Sequence, residues 1–152
     1  MTSTFAELRP VPAVAPITER IQVAPFSLFC HLTNLPSPVT NHNNNNNNNN
    51  NRSARHAIVL HVTSSESIAT PLTVFVYALP PQPYKSQPLT TTLLGGQTSS
   101  SQESQEFAIR LAKILAKQTG RPVYVGASIS SFVDHIESFE KITQFVTQNL
   151  HN

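Results

Sequence analysis

Between Ile21 and Ser101 the chain carries only four charged side chains, Arg52, Arg55, Glu66 and Lys85. This scarcity constrains the fold more than any motif does, because the same stretch is dense in alternating apolar residues. Phe26, Leu28, Cys30 and Leu32 share one face of an extended segment. Ile58, Leu60 and Val62 share one face of a second segment, with Val59 and His61 behind them. Leu72, Val74, Val76 and Ala78 share one face of a third, with Phe75, Tyr77 and Leu79 behind. A period of two with β-branched enrichment predicts strands. The segment from Pro88 to Gly95 reads the same way, as does Val123 to Ile129, which alternates Val123, Val125, Ala127 and Ile129.

Two helices are expected after these strands. Ser100-Ser-Gln-Glu103 fits a capping box, followed by Phe107, Leu111, Ile114 and Leu115 on one stripe. Glu106 and Arg110 form a favourable i, i+4 pair, Lys113 and Lys117 suit the C-terminal end of the dipole, and Gly120 then Pro122 terminate the helix. A second helix is expected from about Asp134, with Phe139, Ile142, Val146 and Leu150 on one side. The fold class is therefore α+β: a mainly antiparallel sheet with helices on one face, in the order β-β-β-β-α-β-α. The step from Leu89–Gly95 through the helix to Val123–Ile129 leaves room for one parallel pairing.

At 152 residues the chain has the length of one domain. Residues 1–20, with Pro10, Pro12 and Pro16, read as an extended Pro-rich leader. The single α+β domain spans 21–152 and carries a loop at 35–55 that includes the unbroken run Asn43 to Asn51. Polyasparagine has no apolar surface to offset the entropy of ordering, so the loop is expected to be disordered.

Composition excludes several function classes. Ten Lys and Arg against eight Asp and Glu give a net charge of +2. That small excess makes no basic face, and nucleic acid is not an expected partner. No apolar run approaches the roughly 20 residues of a membrane helix, and the N-terminus lacks a secretory pattern. One cysteine permits neither an internal disulfide nor a Cys-built zinc site. The only aspartate is Asp134, against a multi-carboxylate site.

Individual candidates for chemistry reduce to simpler roles. Gly95-Gly-Gln-Thr-Ser-Ser100 precedes a helix N-terminus but lacks the Lys and spacing of a phosphate loop. His31, His56 and His61 lie on strands without a second ligand type, so they read as interface or surface histidines rather than a metal site. Cys30 alternates with core residues and reads as a buried thiol. Ser64, Ser65 and Ser67 sit in a turn without the setting of an esterase nucleophile. Ser99 to Ser101 reads as a helix cap ahead of a phosphorylation site. No catalytic residues and no cofactor are expected.

Two short helices cover one face of a small sheet. The other face would expose Phe29, Val59, His61, Phe75, Tyr77 and Leu79, a larger apolar patch than a monomer usually carries. The economical cover is another sheet packed face to face, so these six residues are the expected partner interface. The alternative is cover by the chain's own loops or leader.

Leu89-Thr-Thr-Thr-Leu-Leu-Gly95, with Phe107-Ala-Ile-Arg-Leu-Ala-Lys113 and Gln118-Thr-Gly-Arg-Pro-Val-Tyr-Val125, resembles the proteasome assembly chaperone 4 family. Ile58-Val-Leu-His-Val-Thr63 and Leu72-Thr-Val-Phe-Val-Tyr77 are similar to the family's second and third strands, and the likeness runs over roughly residues 22–150 outside the Asn loop. The resemblance implies a heterodimer with a structurally similar protein, proteasome assembly chaperone 3. It implies that the pair promotes correct α-ring assembly of the 20S proteasome by transient binding to an α subunit, without cofactor or catalysis, in the cytoplasm and nucleus. A non-catalytic scaffold or adaptor permanently bound to its partner is the alternative. The leader, the Asn tract, the turn Ser64 to Pro71 and the segment Pro80 to Pro88 depart from the family's usual connections.

Overall fold

The computed structural model describes residues 15–35, 56–65, 70–130 and 133–150. These form strands β1 (Ile17–Val23), β2 (Phe26–Asn34), β3 (Ile58–Thr63), β4 (Val74–Leu79) and β5 (Leu89–Leu94), helix α1 (Ser99–Thr119), strand β6 (Val123–Ser128) and helix α2 (His135–Leu150). From Phe26 onward the expected β-β-β-β-α-β-α order is found, and the class is α+β. One strand precedes it. Residues 17–20, placed by the sequence reading in a leader, belong to β1, which pairs antiparallel with β2 from Ile17↔Leu32 to Val23↔Phe26. The prolines upstream masked this strand, and only Ile21 and Val23 of it are buried. Residues 1–14 of the leader and residues 36–55 of the Asn loop lie outside the described residues.

The six strands form one mixed sheet in the order β1-β2-β3-β6-β4-β5. All neighbours are antiparallel except β3 and β6. The parallel pairing therefore joins Ile58–Thr63 to Val123–Ser128, and Leu89–Leu94 takes no part in it. β5 and β6 run in the same direction but are separated by β4, which bonds to both. β6 is buried at every position but Tyr124 and occupies the centre, where an apolar strand belongs, whereas Thr-rich β5 is left at the edge.

Both helices lie on one face. α1 packs on β4, β5 and β6, α2 on β1 and β2, and the helices touch each other. The core between the layers joins Leu28, Leu60, Val76 and Val125 of the sheet to Phe107 and Leu111 of α1 and Ile142 and Val146 of α2. Leu32, Ile58 and Leu115 are also fully buried there. Phe139 and Leu150 are only partly buried, and Phe145 takes a core place beside Ile142.

The helix ends follow local chemistry. The N-cap of α1 is Thr98, two residues before the expected Ser100: its hydroxyl accepts from the Ser101 backbone N–H, and Ser101 Oγ donates to the Thr98 carbonyl at 2.7 Å. Thr98 is the better cap because the helix then runs from Ser99 with Ser101 and Ser104 turned inward. Gly120 closes α1 at φ 62°, its N–H reaching the Ala116 carbonyl at 3.0 Å. A left-handed residue there is glycine's ordinary role. Asp134 Oδ1 accepts from the Glu137 N–H at 3.0 Å and caps α2.

Candidate partner interface

The face of the sheet away from the helices is built by strand register. One row across it reads Thr18, His31, His61, Gly126, Phe75 and Leu94. The next reads Thr33, Val59, Tyr124, Tyr77 and Thr91. Phe29 flanks the first row between Arg20 and Thr63, and Leu79 flanks the second beside Leu89. All six expected interface residues therefore share one face. Phe29, Val59, His61, Phe75, Tyr77 and Leu79 are each partly buried by their neighbours, as expected for side chains standing side by side on an open sheet.

Aromatic contacts tie the middle of this face together. Tyr124 stacks on Phe75 with ring centroids 5.7 Å apart and meets Tyr77 at 4.5 Å. Burial, and secondarily the neighbouring Tyr124 hydroxyl, raise the Tyr77 pKa above its usual value. His31 and His61 are direct register partners with ring centroids 6.0 Å apart. His56 is elsewhere: its Nδ1 lies 3.1 Å from the Leu35 carbonyl at the strand end. Among the described residues no group of three or more His, Cys, Asp or Glu is placed to hold a metal.

Three features of the face escaped the sequence reading. Tyr124 is one, and its position between Val123 and Val125 puts it opposite the core set. Arg20 lies over Phe29, its guanidinium carbon 5.6 Å from the ring centroid, while its Nε donates to Ser27 Oγ at 3.1 Å. That contact was invisible while Arg20 was assigned to a leader. Leu72, expected on the core face, lies instead over Gly126 on the open face and is 41% exposed. The cause is the backbone before β4: the Thr73 N–H donates to Ser128 Oγ at 3.1 Å, Thr73 Oγ1 donates to the Ala127 carbonyl at 2.8 Å, and Ser128 Oγ donates to the Pro71 carbonyl at 2.7 Å. These bonds break the alternation ahead of Val74. A β-carbon on Gly126 would come within 2.8 Å of Leu72 Cδ1 and 3.0 Å of His61 Cδ2, so glycine leaves Leu72 its seat.

Arg20 is the only fully charged side chain on this face among the described residues. Glu19, its neighbour in β1, pairs with Cys30 on the helix side and helps to raise the Cys30 pKa, chiefly an effect of burial, to about 12. Exposed Leu72, Leu89 and Leu94 extend the apolar surface toward β5. The helices leave this face uncovered, and grooves run along the outer surfaces of α1 and α2. Such a sheet can bind another protein. No helix among the described residues is long and apolar enough to cross a membrane.

A layer of two helices on a mixed six-stranded sheet, with one apolar face left open among the described residues, defines an α+β module. The family model described as proteasome assembly chaperone 4 matches residues 49–129, just over half of the chain, and the chain belongs to that family. The match ends after β6, so β1, β2 and α2 lie outside it. The chain is also similar to a chain of a solved structure described as "Crystal Structure of a Novel Chaperone Complex for Yeast 20S Proteasome Assembly". The identity there is 21% and the TM-score 0.57, over 91% of this chain and 95% of that one. No curated protein matches the chain.

Proposed function

We propose that this chain is one subunit of a heterodimeric chaperone of 20S proteasome assembly. It pairs through the open sheet face with a structurally similar protein of the proteasome assembly chaperone 3 type. The pair promotes correct α-ring assembly by binding an α subunit transiently. The observation that carries this reading is the open face itself. Phe75, Tyr77, Tyr124, Val59 and His61 lie in two adjacent rows with a single cation at their margin, and no described element covers them.

Sheet-on-sheet packing suits this geometry, because both layers are twisted β-surfaces with side chains at the same spacing. Membership of the assembly chaperone family supports the proteasome as the client, and the similar solved chain is itself part of a chaperone complex for yeast 20S proteasome assembly. Binding alone is sufficient for the role. A chaperone that holds free or half-assembled subunits more tightly than the finished ring biases assembly and then leaves, with no bond made or broken. The chain works without cofactor and without catalysis, in the cytoplasm and nucleus where such particles assemble.

The test is affinity purification of the tagged chain followed by mass spectrometry. Recovery of one small chaperone-like partner together with immature α subunits, and absence from mature 20S particles, is the expected result. Stable retention in a mature complex would instead show a permanent adaptor subunit.

A further inference from the structure

We infer that the His31–His61 pair makes docking on the open face sensitive to acid, favouring the partner when both imidazoles are neutral and releasing it when they are protonated. This rests on the open face being the pairing surface.

The two histidines face each other directly across β2 and β3, with ring centroids 6.0 Å apart. They stand in the central row of the sheet, beside Gly126 and Phe75, so a sheet packed on this face would cover both. His61 is already enclosed: its Nε2 is buried and has no hydrogen-bond partner. Burial, and then the charge of His31, hold the His61 pKa below its usual value of 6.5. His31 is still exposed, and a docked partner would take it out of water.

The surrounding groups give the protonated pair no relief. From β1 the charged neighbour on this face is Arg20, of the same sign. β6 contributes the hydroxyl of Tyr124 and β4 that of Tyr77, and Leu72 lies over Gly126 between the two strands. No carboxylate stands on this face among the described residues, since Glu19 pairs with Cys30 and faces the helices. Covering an imidazolium here means desolvating a cation without a counter-charge.

The sign follows from proton counting. The covered state binds fewer protons than the free one, so affinity is greatest above the free-state pKa and falls as the pH drops through it. Holding neutral a histidine with the reference pKa weakens binding about tenfold at pH 5.5, and His61, already biased toward its neutral form, adds less than that.

The experiment measures the dissociation constant of the chain and its chaperone 3-type partner at pH 7.5 and pH 5.5 by biolayer interferometry, with circular dichroism confirming that both stay folded. The expected result is binding at least tenfold weaker at pH 5.5. That ratio should shrink in His31→Gln, whose exposed position does not threaten folding, and shrink further in the double variant with His61→Gln. As a second readout, the imidazole proton resonances of the complex should not titrate over this range. Equal or tighter binding at pH 5.5, or an undiminished ratio in His31→Gln, overturns the inference while leaving the pairing surface intact. Absence of binding at pH 7.5 overturns the pairing reading, and this one with it.

Discussion

Tyr124 meets Tyr77 with ring centroids 4.5 Å apart, as direct register partners on neighbouring strands β6 and β4. The pair stands at the centre of the open face with Phe75 stacked against Tyr124. Aromatic clusters that a partner covers concentrate binding energy. The double substitution Phe75→Asp and Tyr77→Asp should therefore abolish co-purification with the partner chaperone, at a cost above about 2 kcal/mol for the pair. The substituted side chains remain on the solvent side, so the far-ultraviolet circular dichroism should be unchanged. Intact co-purification would place the interface elsewhere.

On the opposite face, Leu111 is fully buried between α1 and the sheet. Leu111→Ala should destabilise the fold by about 2–5 kcal/mol, the range for removing a core leucine and leaving a cavity. Urea unfolding of the isolated chain measures this as a lower midpoint. A loss under about 1 kcal/mol would mean that α1 is not seated as described.

Gly120 terminates α1 at φ 62°. An alanine there must adopt a left-handed conformation that costs it about 1 kcal/mol. Gly120→Ala should lower the thermal midpoint by a few degrees, without affecting partner binding, since the C-cap lies beyond the open face. Calorimetry and the pull-down together separate the two effects.

Cys30 is buried and its thiol ionises only near about 12. At pH 8 it should react with a disulfide reagent only as fast as the protein opens, and at full speed in denaturant. An unfolded thiol ionises near 9.0, so the folded state keeps the proton from there up to about 12, and stability should fall as the pH rises through that window. Rapid labelling of native protein would contradict this placement.

The ends of the Asn loop are already clamped. Asn34 pairs with Ile58 in the β2–β3 ladder, and the Leu35 N–H donates to the Ala57 carbonyl at 2.9 Å. Loop-closure entropy changes slowly with length. Deleting Asn43 to Asn51 should therefore leave urea midpoint and partner affinity nearly unchanged, and loss of either would give the tract an active role.

Much of this architecture was legible in local pattern. Alternation marked β2, β3, β4 and β6 and sorted their core residues correctly, because side-chain period is a property of each strand alone. Helix α1 followed from its apolar stripe and from Gly120. Leu72 was misplaced because its direction depends on Ser128, which is far away in the chain and takes hydrogen bonds that the ladder would otherwise use. β1 looks like leader in sequence because its outer residues are polar, and only pairing with β2 makes them a strand.

Local pattern alone shows that the chain is low in charge with strands apolar on both sides, and it sorts six residues onto the face away from the helices. Only the tertiary structure decided which strands are neighbours: that β6 inserts between β3 and β4, bringing Tyr124 against Phe75 and Tyr77, and that His31 stands opposite His61. Periodicity assigns a side chain to a face. Its neighbours on that face are set by strand order and register, which arise from long-range packing that no local segment encodes.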